Sequence, residues 1–146
     1  MTTPLLFAPV PALVLLLALL AAIPPAKAEL VVVVPVTSKV DTLTSAQVRD
    51  IFLGRTSAFP GGEPALPIEH MGDNSRDEFH RLLSGRTAVE LKAYWAKMVF
   101  AGQGVPPKSV ASSSEALRII AQTPNAIGYI NKTKLDASVK VVLKLQ

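Results

Sequence analysis

The chain contains no cysteine. That excludes disulfide bridges, thiolate metal centres, a cysteine nucleophile and a lipid anchor on a signal-site cysteine. Histidine is almost as scarce: His70 and His80 stand alone. They form neither an i,i+4 pair nor an HExxH run, so no metal and no other cofactor is expected. A G-x-S-x-G elbow and a Walker loop are both missing, and nothing orients a base beside a nucleophile, so the chain is not expected to be an enzyme. Charge of one sign is never concentrated. Fifteen Lys and Arg face 11 acids, a formal +4, too weak and too scattered to imply a nucleic-acid partner, though it permits anionic small ligands. No apolar run reaches the roughly 20 residues that span a bilayer.

What is present begins with a leader. Leu13–Ile23, LVLLLALLAAI, has the length of a signal-peptide h-region, followed by Pro24, Pro25 and Ala26-Lys27-Ala28 before Glu29. Small residues three and one before the polar Glu29 suit signal peptidase, which places the cut after Ala28. Residues 1–28 are thus expected to be a signal peptide and 29–146 the secreted, periplasmic domain. The n-region carries no Lys or Arg, and an uncleaved anchor is the alternative. Without Lys27 the net charge falls to +3. The remaining chain is long enough for one domain with its own core.

Hydrophobic periodicity organises that domain. Leu30–Val36 is a continuous β-branched run, the signature of a strand buried on both faces. Thr44 to Gln47 has capping-box spacing ahead of Val48, Ile51 and Phe52, and Gly54 ends that helix. Leu66–Met71 is a short strand. A helix from about Ser75 carries Phe79, Leu82 and Leu83 inward and stops at Gly85. Another runs from Ala88 to Phe100 with Leu91, Tyr94, Trp95, Met98 and Val99 as its apolar stripe. Residues 101–114 form a loop whose serines cap a helix over Glu115–Gln122. AIGYIN and VKVVLKL are strands, the last one alternating and near an edge. The order β-α-β-α-α-α-β-β predicts an α/β layered domain with helices on both sheet faces. In such sheets ligands sit beyond the carboxyl ends of strands, where helix N-termini point.

Three segments, in this order, carry a resemblance. LTSAQVRDIFLGRTSAFPGG resembles the segment opening the second lobe of the phosphate-type substrate-binding proteins of ABC transporters. LKAYWAKMVFAGQGVPP is similar to the matching segment of their short, single-lobe relatives, and TPNAIGYIN to the family's Pro-Gly-Ala-Ile-Gly-Tyr-Val strand. The resemblance spans Leu30 to about Val142. It implies a mixed sheet flanked by helices, a single lobe of the type II periplasmic-binding-protein-like fold. It also implies phosphate or a similar oxyanion as ligand and an ABC permease as partner. The family's oxyanion loop commonly has Gly-Ser-Gly-Thr-Arg-Glu-x-Phe. Here Gly72 and Arg76 match, Asp73 and Asn74 replace Ser and the second Gly, Ser75 stands for Thr, and Phe79 matches Phe. An arginine often found upstream has no counterpart; Glu69 and His70 occupy its place.

Two readings of Ser75 stand side by side. A helix start leaves up to four N–H groups unpaired and carries roughly half a positive charge, so it suits an oxyanion. Gly72, Asp73, Asn74, Ser75 and Arg76, with Ser113 from the second helix start, form the candidate binding set. Asp73 is suited to accept the proton of monohydrogen phosphate and to repel sulfate. In the other reading Ser75 and Glu78 form an S-x-x-E capping box and need no ligand. Four carboxylates (Glu69, Asp73, Asp77, Glu78) against Arg76 and Arg81 leave a formal −2 there, which opposes a dianion unless the acids point away. Tyr94 and Trp95 are either ligand-stacking or core. Lys132, Lys134, Lys140 and Lys144 are expected to form a solvated face or to guard an edge strand. A single lobe leaves its ligand exposed on one side unless two chains face each other as a homodimer. The rival function is a periplasmic interaction or sensor module that keeps the lobe and has no ligand.

Overall fold

The computed structural model describes residues 2–5 and 28–146; the h-region expected for the leader lies outside the described residues. Five strands form one sheet in the order β3-β2-β4-β1-β5. They are β1 (Leu30–Pro35), β2 (Leu66–His70), β3 (Lys108–Val110), β4 (Ala126–Asn131) and β5 (Val139–Leu145). Helices α1 (Ser45–Phe52), α2 (Ser75–Ser84), α3 (Ala88–Phe100) and α4 (Ser113–Gln122) intervene, and a 3₁₀ turn, Lys132–Lys134, follows β4. The sheet is mixed: β1 pairs antiparallel with β4 and β5, whereas β2 runs parallel to β3 and β4.

The β1 sequence dictates its central place. All six of its residues are buried, and their alternation supplies both faces of the sheet. Leu30, Val32 and Val34 join Val48, Ile51 and Phe52 of α1 and Phe79 and Leu83 of α2. Val31 and Val33 join Ala116 and Ile120 of α4 on the other face. The expected α/β layering is therefore observed. The last strand lies at an edge, with Lys144 exposed on it.

Two expectations fail. Residues 108–110 form β3, not loop, so the order is β-α-β-α-α-β-α-β-β. Three residues among prolines and serines carry no pattern of their own; parallel pairing with Ile68–His70 makes the strand. Val99 is 53% exposed rather than packed. The buried side of α3 is narrower, Leu91 and Trp95 against Leu53, with Tyr94 and Met98 partly covered.

An aromatic stack fixes α2 to the sheet. Phe79 lies 4.0 Å from Tyr129 of β4, nearly parallel, and 4.7 Å from Phe52 of α1, edge-on. Such contacts add about 0.5–1.5 kcal/mol beyond area burial, and they set the position of the α2 entrance. Away from the sheet, α3 is moored by Tyr94 Oη, which donates to the Leu53 carbonyl at 2.5 Å. Gly54 ends α1 with φ +67°, and a Cβ there would stand 2.8 Å from Trp95 Cη2. Gly54→Ala therefore meets both backbone strain and a buried ring. We expect a loss of about 2–3 kcal/mol in urea unfolding, with no change in fold by circular dichroism.

Candidate functional site

Parallel pairing brings the carboxyl ends of β2, β3 and β4 to one end of the sheet. His70 faces Val110 in register, and Asn131 of β4 pairs with Leu30 at the start of β1. The chain leaves β2 through Met71–Asn74 into α2, and leaves β3 through Ala111–Ser112 into α4. Two helix entrances thus lie side by side beyond the strand ends. They touch closely: a Cβ on Gly72 would stand 2.7 Å from the Ala111 carbonyl oxygen. Only glycine allows this approach, because the obstacle is backbone and cannot rotate away. A cavity of about 510 Å³ borders the first entrance, lined by Ala28, Leu30, Asp73, Asn74, Ser75, Glu78 and Asn131.

The expected Ser75–Glu78 box does not form. Asn74 is the N-cap of α2, with φ −79° and ψ 0°, and Ser75 is the first helical residue. Asp73 Oδ1 accepts the Ser75 amide at 2.9 Å, so the shorter Asp73 side chain makes the bond that Glu78 makes in the capping-box reading. Glu78 turns instead to Arg81, which donates through Nε and Nη2 at 2.9 and 2.7 Å. No side chain caps α2 from Asn74, which leaves first-turn amides to solvent or a ligand. The second entrance is closed more tightly. Ser112 Oγ accepts the Glu115 amide, and Glu115 Oε2 accepts the Ala111 amide. Capping is what Ser112 does; Ser113 Oγ, one residue on, receives Lys134 Nζ at 2.6 Å.

Under the loop lies a charge cluster that spacing did not reveal. Glu69 on β2 is 2% exposed. Arg76 Nε donates to its Oε2 at 2.8 Å, and His80 Nε2 lies 2.5 Å from its Oε1. Burial by itself would raise the Glu69 carboxyl; hydrogen bonds and charge from His80 and Arg76 outweigh that and hold it below its ordinary 4.5. Burial lowers Arg76, but the bond and charge of Glu69 prevail and hold it above its ordinary value. The Arg76 charge is thereby shared with a carboxylate of this chain. Beside the cluster, His70 is 1% exposed and its ring lies 5.0 Å from that of Tyr129, tilted to it. Neither of its ring nitrogens has a hydrogen-bond partner of ordinary geometry, and Nδ1 stands 3.6 Å from Asp73 Oδ1. Tyr94 and Trp95 take no part here; they belong to the α3 cluster with Leu53.

No protein-family model and no curated protein sequence matches the chain. Solved structures do. A phosphate ABC transporter substrate-binding protein from Clostridium perfringens, solved with bound phosphate, is 24% identical with a TM-score of 0.63, over 78% of this chain and 44% of its own. An ABC-type phosphate transport receptor from Vibrio cholerae is 19% identical with a TM-score of 0.61, over 78% and 45%. PstS from Borrelia burgdorferi is 17% identical with a TM-score of 0.59, over 78% and 46%. The chain thus spans less than half the length of each. The chain shares its fold with these proteins, an α/β mixed sheet with helices on both faces.

Two expectations follow from the buried groups. Glu69→Gln leaves Arg76 and His80 without their counter-charge, and should cost about 3 kcal/mol in denaturant unfolding. His70 gives a pH signature. Burial pushes its imidazole below the ordinary 6.5, with Lys134 lowering it further and Asp73 and Glu69 opposing. The folded state resists protonating His70, so its contribution is complete above about pH 6.5 and declines as pH falls toward the depressed value. Glu69 acts separately, below 4.5. The melting temperature should therefore fall between pH 7.5 and 5.5, and His70→Phe, still packed against Tyr129, should flatten that slope.

Proposed function

We propose that this chain is a periplasmic solute-binding-like lobe that holds phosphate or a similar tetrahedral oxyanion for an ABC permease. The observation that carries the reading is the pairing of two helix entrances beyond the strand ends, one of them uncapped, with Gly72 drawn against Ala111. Helix starts offer oriented N–H groups and partial positive charge, which oxyanions accept. In this reading the amides of Gly72–Asn74, the hydroxyls of Ser75 and Ser113, and Arg76 at the rim hold the ion, while the Ser75 amide stays with Asp73. Asp73 accepts a hydrogen bond from the proton of monohydrogen phosphate. Likeness of fold to phosphate-binding proteins supports the same ligand class. Those neighbours are substrate-binding proteins, which favours binding over catalysis. Residues 1–28 act as the secretion signal and 29–146 as the binding domain. The ion is covered on one side only, and a facing second copy would close the other.

A second reading rests on a different surface. Phe100 is 96% exposed, with Val99 and Val105 also open. An interaction or sensor module would use that apolar end of α3 and leave the loop empty. Calorimetry separates the two. The chain should bind inorganic phosphate with a Kd of about 1 mM, since one half-site falls well short of the −8 kcal/mol of micromolar binding. Gly72→Ala, which forces the two entrances apart, should weaken this at least about tenfold with the fold intact. A folded chain that gives no heat at millimolar phosphate belongs to the second reading.

A further inference from the structure

We propose that Lys134 is the main cation of this oxyanion site, delivered from the turn after β4 to the gap between the two helix entrances. The inference rests on the oxyanion reading above and names the group that supplies its charge. Arg76, the cation within the loop, is already shared with Glu69 at 2.8 Å. Lys134 is not so committed. Its Nζ meets the neutral Ser113 hydroxyl at 2.6 Å, and among the described residues no carboxylate lies within ion-pair distance of it. A hydroxyl partner positions an ammonium without cancelling its charge and leaves two further N–H donors.

The turn that carries Lys134 is built to hold it there. Asn131, at the carboxyl end of β4, accepts from both the amide and the hydroxyl of Thr133 at 3.0 Å. Lys132 is tied to Glu29 through its amide at 2.8 Å and its Nζ at 3.2 Å. So of the two lysines on the turn, Lys132 has a carboxylate partner and Lys134 faces the serine of the α4 entrance. The Lys134 charge also reaches across to the α2 entrance, where it acts on Asp73 and His70. It moves the formal balance around the loop from −2 to −1, the direction an anion requires.

A second observation points to a ligand at the same place. His70 is 1% exposed, both ring nitrogens lack an ordinary partner, and Nδ1 is turned toward the Asp73 carboxylate. A polar ring so buried is normally satisfied. Here its Nδ1 stands beside Asp73, the loop carboxylate on which the Lys134 charge also acts. An oxyanion between Ser75, Ser113 and Lys134 completes the arrangement.

The test is titration of the full chain with inorganic phosphate by calorimetry, at low and high ionic strength, in wild type, Lys134→Gln, Lys134→Arg and the neighbouring control Lys132→Gln. Circular dichroism establishes that each is folded. Loss of at least tenfold in affinity for Lys134→Gln, recovery in Lys134→Arg, wild-type affinity in Lys132→Gln and a weaker salt dependence in Lys134→Gln are expected. If wild type binds and Lys134→Gln binds equally well, Lys134 is not the cation, while the oxyanion reading stands. If Lys132→Gln loses as much as Lys134→Gln, the effect is diffuse charge and the assignment is overturned. If wild type does not bind at all, both the oxyanion reading and this inference fall.

Discussion

A carboxylate buried at the end of a central strand has to be neutralised, and the rest of the site depends on how this chain does it. Glu69 is answered by Arg76 and His80, both on α2, one turn apart on the helix face turned to the sheet. Together with the Phe79–Tyr129 stack, these contacts orient the helix so that its N-terminus opens at the carboxyl end of β2. The same contacts draw Arg76 back from the entrance. The loop is thus well placed but short of charge, and the helix dipole with whatever cation reaches it from another element must make up the difference.

The sheet decides which elements can reach it. Because β2, β3 and β4 are parallel, three chain segments emerge at one end: the start of α2, the start of α4 and the turn Lys132–Lys134. None is adjacent in sequence to the other two. Their convergence is a property of strand order, in the way ligand crevices arise in open α/β sheets generally. The matched solved structures are more than twice as long as the part they share with this chain.

Local signals were legible in the sequence, and long-range ones were not. The Thr44–Gln47 box forms as its spacing implies, with Gln47 accepting the Thr44 amide at 2.9 Å. Gly85 takes the left-handed C-cap conformation that ends α2. These depend on four or five neighbouring residues. The continuous β1 run implied burial on both faces, which its six residues show. The Ser75–Glu78 box had the same spacing as the Thr44 box yet lost, because Asp73 reached the Ser75 amide first and Arg81 engaged Glu78. Pattern identifies a possible bond; it does not rank competitors. The strand Lys108–Val110 exists only beside β2. Glu69 with His80, eleven residues apart, and Lys134 with Ser113, twenty-one apart, need the fold to be known before they can be seen. From the sequence Lys134 reads as one more surface lysine, which its exposure bears out; its contact with Ser113 becomes visible only in the fold.

The central claim is that the α2 entrance, together with the α4 entrance, grips a tetrahedral anion through backbone amides. Two-dimensional amide NMR of the folded chain during a phosphate titration tests it most directly. The account predicts saturable shifts confined to the amides of residues 72–77 and 113–114 and to the Lys134 region, with the α3 amides around Val99 and Phe100 unmoved. Shifts that spread evenly with ionic strength, or that leave Gly72–Asp77 unchanged while other regions respond, would contradict it.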